Sequence, residues 1–202
     1  MGRVLCENTE GNEDGSSSRR IQPAYDGGSY TIRYELLHGN LQATLSLFAG
    51  KMAAGKSTLA RELAIRESAI LLVEDHFLER LYPGEIACLA DYVKYSSRLK
   101  LALAPHIGQL LAAGISVVLD FPGNTRTQRV WFRELIERSG VAHVLHFVDA
   151  TDDLCKRQLR QRSEGLPVGT AWTTDAEFDA VTAWFEAPTL EEGFNIVRHE
   201  RA

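Results

Sequence analysis

Eight consecutive residues, Gly50-Lys51-Met52-Ala53-Ala54-Gly55-Lys56-Ser57, carry the spacing G-x-x-x-x-G-K-[ST] of a phosphate-binding loop, the Walker A pattern. Each position has a reason in phosphate chemistry. Glycines let the backbone curl until its N–H groups converge on an anion. A helix opening at Lys56 would point its positive end at the same place. Lys56 can reach the terminal phosphates, and the Ser57 hydroxyl can ligate magnesium. The residues expected to hold a nucleotide are therefore Gly50, Lys51, Met52, Ala53, Ala54, Gly55, Lys56, Ser57 and Thr58.

Three further groups fit phosphoryl chemistry. An apolar run ends Val117-Val118-Leu119-Asp120, and an acid at a strand end can hold the magnesium beside Ser57. Phe121 follows, where many ATPase motors carry a water-activating Glu, so transfer to an acceptor is favoured over hydrolysis. No N-K-x-D guanine-reading motif occurs, which points to ATP rather than GTP. Asp75, in Val73-Glu74-Asp75-His76, is the candidate to orient an acceptor hydroxyl and take its proton, with Glu74 as the alternative. A basic cluster, Lys156, Arg157, Arg160 and Arg162, has helical spacing and could close over the phosphates as a lid.

The elements that must position these groups read as an α/β fold. From Leu41 onward, apolar runs expected as strands (Ala43–Ala49, Ala69–Val73, Ile115–Leu119, Ala142–Val148, Phe194–Val197) alternate with helical patterns. Helices are expected from Lys56 to about Glu67, from Ile86 to Ala113 with Pro105 kinking or dividing it, and from about Thr125 to Arg138, closed by Gly140. Thr151 is the expected N-cap of a short basic helix. Thr174 and Glu177 have capping-box spacing, ahead of Phe178, Val181 and Phe185 on a core face. This pattern implies a three-layer sandwich around a parallel sheet of about five strands, with a short helical lid. Residues 1–40 read as a tail, with a possible short strand at Tyr30–Tyr34, and residues 41–202 as the phosphate-binding domain.

Composition sets outer limits. The chain has 202 residues, 45% hydrophobic and 24% charged, with a net charge of −5. That acidity argues against a surface built to grip a long polynucleotide. Cys6, Cys88 and Cys155 are too few and too far apart for a disulfide framework, and His143 and His146 read as ordinary sheet histidines. No basic start followed by an apolar run marks a signal peptide, and no stretch is long enough to span a bilayer, so a cytoplasmic protein is expected.

Together, the loop, Asp75, Asp120 and the arginine cluster resemble the kinase domain of polynucleotide 5′-hydroxyl kinases. They also resemble the wider P-loop group of zeta toxins and chloramphenicol phosphotransferase, with its AAA-type ATP-binding domain. The likeness spans about residues 43–170. It implies that Asp75 is the general base and that Arg157 is the first lid arginine, with Arg160 or Arg162 the second. Asn124, Arg129 and Trp131 also fall at matching positions. Leu78 stands where the polynucleotide kinases carry an arginine that grips substrate phosphate. The function expected is transfer of the γ-phosphoryl group of Mg-ATP to a hydroxyl, with Lys56, Asp75, Arg157 and Arg160 as catalytic residues. The missing arginine and the acidic charge rank a small-molecule acceptor first. Tyr82, Tyr92 and Tyr95 line the region where it could dock. The alternatives are a polynucleotide 5′-hydroxyl acceptor, an ATPase switch without acceptor, and an adaptor whose tail is the working part.

Overall fold

The computed structural model describes residues 24–26, 29–31, 43–165 and 174–202. Contacts divide the chain into two units, Met1–Gly39 and Asn40–Ala202. In the first, β1 (Ala24–Asp26) and β2 (Ser29–Thr31) pair antiparallel, with Tyr25 opposite Tyr30. The strand expected at Tyr30–Tyr34 is thus realised one residue earlier. Residues 32–34 and the rest of the tail lie outside the described residues.

The second unit is built on a five-stranded sheet in the order β4-β5-β3-β6-β7, and every pairing is parallel. Its strands are β3 (Thr44–Ala49), β4 (Ile70–Val73), β5 (Val117–Asp120), β6 (Ala142–Ala150) and β7 (Ile196–Arg201). Helices connect them: α1 (Lys56–Arg66), α2 (Glu74–Leu81), α3 (Leu89–Ala112), α4 (Arg126–Ser139), α5 (Asp152–Ser163) and α6 (Asp175–Thr182). This is the α/β architecture, helices on a parallel five-stranded sheet, that the alternating pattern implies.

Strand periodicity sorts the core into layers. Along β3, Leu45, Leu47 and Ala49 pack into the large cluster with Leu99, Ile107, Leu111, Phe132 and Leu135 of α3 and α4. Phe48 points the other way, to Ala60, Leu63 and Ala64 of α1. A third cluster joins Ala53 and Ala54 of the phosphate loop to Cys155 and Leu159 of α5 and Phe178 of α6. Because β3 is the central strand and the chain winds outward on both sides of it, the residues just after β3 open onto the crevice where such sheets bind ligands.

Residues Glu74–Leu81, which the sequence pattern assigns to no element, form α2. Two acids in its first turn suit the helix dipole, and Tyr82-Pro83-Gly84 ends it after only eight residues, too few to show a clear periodicity. Pro105 does not divide the helix expected from Ile86: α3 runs unbroken through it, starting at Leu89.

Candidate functional site

The phosphate loop owes its shape to two glycines that no other residue could replace in place. Gly50 has φ 149°, and a Cβ there would lie 2.5 Å from the Val148 carbonyl oxygen of β6. Gly55 has φ 102° and caps α1 with no side-chain hydrogen bond. The first turn of α1 carries no acidic residue, so its N–H groups and positive dipole end are left for an anion. Ser57 is half-buried and Thr58 exposed at this end.

Lys56 folds back over the loop. Its Nζ donates to the carbonyl oxygens of Gly50 at 2.5 Å and Lys51 at 2.7 Å. Burial lowers its pKa to about 8; Asp120 and Asp75 pull it back up, while the charge of Arg162 pushes it down. Those influences map the site, because they place the two carboxylates and the arginine within electrostatic reach of the lysine. Lys51 points away from them, ion-paired with Asp152 at 2.5 Å.

Asp120 ends β5, and its register partner on β4 is Val73. Glu74 and Asp75 therefore leave their strand directly beside it. The two acids have opposite fates. Glu74 is buried, accepts hydrogen bonds from Tyr92 Oη at 2.5 Å and Ser96 Oγ at 2.7 Å, and faces Lys100 Nζ at 3.7 Å. Asp75 is exposed and makes no hydrogen bond or ion pair among the described residues; the same is true of Asp120 at its half-buried position. The protein packed around its carboxyl, which still reaches solvent, strips part of its hydration and raises the pKa of Asp75, helped by Glu74 and Asp120, while His76 and Lys56 oppose the rise. A carboxylate that is free, beside the loop and more basic than usual has the properties a proton acceptor needs.

The tyrosines are structural. Tyr92 holds Glu74, and Tyr95 stacks on Tyr82 at 4.1 Å while its hydroxyl donates to Glu85 at 2.6 Å. Leu78 is buried in the main core. Arg129, a buried residue of α4, donates to both Glu192 carboxylate oxygens and to the carbonyls of Gly123 and Glu186 at 2.6–2.8 Å. It braces the loop after β5 with four of its five N–H donors. Asn124 Oδ1, on that same loop, is buried without a hydrogen-bond partner in the structure.

The basic helix divides by face. Lys156 pairs with Asp179 at 2.7 Å and Arg160 with Asp175 at 2.5 Å, so both are tied to α6. Arg157 is exposed and makes no ion pair or hydrogen bond among the described residues. Arg162 lies seven residues after buried Cys155, hence on the same face of α5, and its charge reaches Lys56. One contact had no sequence signal. Arg201, at the end of β7, donates from Nη1 to the Ala54 carbonyl oxygen of the loop at 2.7 Å. The sequence suggests that this strand stops at Val197, because His199 and Arg201 are polar.

A family model described as an AAA domain matches residues 45–188. Many solved structures match the fold, three of them as follows. A candidate kinase from Chloroflexus aurantiacus has TM-score 0.61 at 19% identity, covering 79% of this chain and 88% of its own. The Mycobacterium tuberculosis APS kinase CysC, in complex with AMPPNP and APS, has TM-score 0.54 at 18% identity, covering 79% and 88%. Chaetomium thermophilum Kti12, in complex with ADP-AlF3, has TM-score 0.54 at 14% identity, covering 77% and 88%. Among curated proteins, none matches this sequence.

Proposed function

The chain belongs to this AAA-domain family, and from that premise we propose that it is a kinase moving the γ-phosphoryl group of ATP onto the hydroxyl of a small molecule. The observation that carries this reading is the contrast between the two adjacent acids. Glu74 is consumed by Tyr92, Ser96 and Lys100, while Asp75 stands free beside Asp120 and Lys56. A free carboxylate at that point can take the proton of an acceptor hydroxyl, and Phe121 leaves the position where ATPase motors carry their water-activating Glu without an acid.

The roles follow from position. The loop amides from Gly50 to Thr58 and the start of α1 bind the phosphates. Lys56 leaves the Gly50 and Lys51 carbonyls and turns to the transferring group. Asp75 orients the acceptor hydroxyl and receives its proton as the phosphorus–oxygen bond forms. The Ser57 hydroxyl and the Asp120 carboxylate fit a magnesium ion, which takes few protein oxygens and completes its shell with water and phosphate. Bound there, magnesium would neutralise charge on the phosphate oxygens. Arg157 is a free lid cation, and Arg162 is the one whose charge already reaches Lys56. Arg160, tied to Asp175, would have to break that pair to take part.

Buried Leu78 supports a small acceptor over a polynucleotide 5′ end, because that position offers no cation to a substrate phosphate. A second reading, an ATPase switch, draws support from the likeness to Kti12, bound in its structure to ADP-AlF3. The test is Asp75→Asn. On the kinase reading, transfer to an acceptor falls by roughly 10²–10⁴-fold while ADP affinity stays within about threefold. Unchanged turnover in that variant would remove Asp75 from the chemistry and favour the switch.

A further inference from the structure

The last strand delivers to the phosphate loop a cation without a carboxylate partner among the described residues. Period two along β7 puts Val197, His199 and Arg201 on one face. The ring of His199 identifies that face: its Nε2 lies 3.0 Å from Nδ1 of His146, which stacks on Phe48 of the layer under α1. Arg201, two residues on, therefore arrives at the N-terminal end of α1.

Two observations fix its place there. Arg201 Nη1 donates to the Ala54 carbonyl oxygen at 2.7 Å across 147 residues of sequence. A Cβ added to Gly55 would meet the same Nη1 at 1.8 Å, so the guanidinium occupies the space that a side chain at residue 55 would need. The end of the strand is itself anchored, because the Arg201 carbonyl accepts from Thr151 N at 3.1 Å, at the N-cap of α5. Among the described residues, Lys51 is paired with Asp152 and Arg198 with Asp149, but Arg201 has no carboxylate partner. Its charge is available to the loop.

The Ala54 carbonyl and the Gly55 N–H are the two ends of one planar peptide group. A cation on the oxygen holds that plane in place and polarises the amide, which strengthens its N–H as a donor. We propose that Arg201 is a positioning residue for the nucleotide phosphates. Through its hydrogen bond it fixes the Ala54–Gly55 peptide and adds positive potential to the anion site. This rests on the reading of the loop as a nucleotide site.

The experiment is calorimetric titration of the full chain with ADP at several KCl concentrations, for wild type, Arg201→Lys and Arg201→Met. The methionine variant keeps the aliphatic stem, and thermal melts without nucleotide show that each variant is folded. Arg201→Met should weaken ADP binding about tenfold at low salt, roughly the effect of one charge-assisted hydrogen bond. The deficit should shrink as salt screens the missing charge. Arg201→Lys should restore most of the affinity. Equal ADP affinity in wild type and Arg201→Met overturns the inference, as does a deficit that salt leaves unchanged, which would mark a purely structural role. A wild-type chain that binds no ADP would overturn the nucleotide reading, and this inference with it.

Discussion

The Lys56 ammonium makes nucleotide binding pH-dependent in a way that can be worked out beforehand. In the free protein, burial lowers its pKa to about 8. The unfolded or solvated value is near 10.4. A bound polyphosphate favours the charged form and should return the pKa to at least that value. Nucleotide binding must then take up a proton wherever the free protein has lost one. Uptake should be ~0.1 proton per site at pH 7, ~0.5 at pH 8 and ~0.9 at pH 9, given a free pKa of about 8. The same linkage weakens binding about tenfold between pH 7 and pH 9. The phosphates do not confuse the window, because their own last ionisation lies near pH 6. Calorimetry of ADP binding in buffers of different ionisation enthalpy reads the proton directly. Lys56→Met should abolish the uptake. Tight binding at pH 8–9 with no proton taken up, or an uptake that survives in Lys56→Met, would refute the assignment.

Other outcomes follow from the same contacts. Glu74→Gln leaves Tyr92, Ser96 and Lys100 poorly matched inside the core, and should destabilise the fold by about 1–3 kcal/mol in urea denaturation. Transfer activity in the folded variant should persist, since the proton acceptor is its neighbour. Arg129→Ala strips both Glu192 oxygens and two carbonyls of their donor. A loss of about 3–5 kcal/mol is expected, and a loss under about 1 kcal/mol would contradict the bracing role. Arg162→Ala should lower transfer at least about tenfold, whereas Arg160→Ala, whose partner is Asp175, should change it less than about threefold. The reverse order in steady-state kinetics would return the lid role to Arg160.

Legibility in the sequence tracked how local each signal is. The loop from Gly50 to Ser57, the capping box at Thr174–Glu177 and the left-handed Gly140 that ends α4 depend on residues within a few positions of one another. They read correctly from spacing alone. The five parallel strands were legible because strands buried on both faces are continuously apolar. What the sequence concealed is set by partners far along the chain. Nothing near Glu74 announces that Tyr92 and Ser96 will take both its oxygens. Nothing near Arg160 announces Asp175. The helix α2 is too short for its period to be recognised. The end of β7 is polar, so its extension to Arg201 followed from parallel pairing with β6, where Ala150 lies opposite Arg201. The acceptor half of the site was the least legible, because shape and missing groups decide it more than any motif does.

On the kinase reading, the γ-phosphoryl group leaves ATP for a hydroxyl and not for water. Phosphorus NMR of the chain incubated with Mg-ATP and a panel of small alcohols, sugars, nucleosides and a 5′-hydroxyl oligonucleotide reads that fate directly. A new phosphomonoester resonance is expected on a small-molecule acceptor, rising with ADP and lost in Asp75→Asn. Stoichiometric inorganic phosphate as the sole product across the panel, unchanged in Asp75→Asn, would contradict that reading.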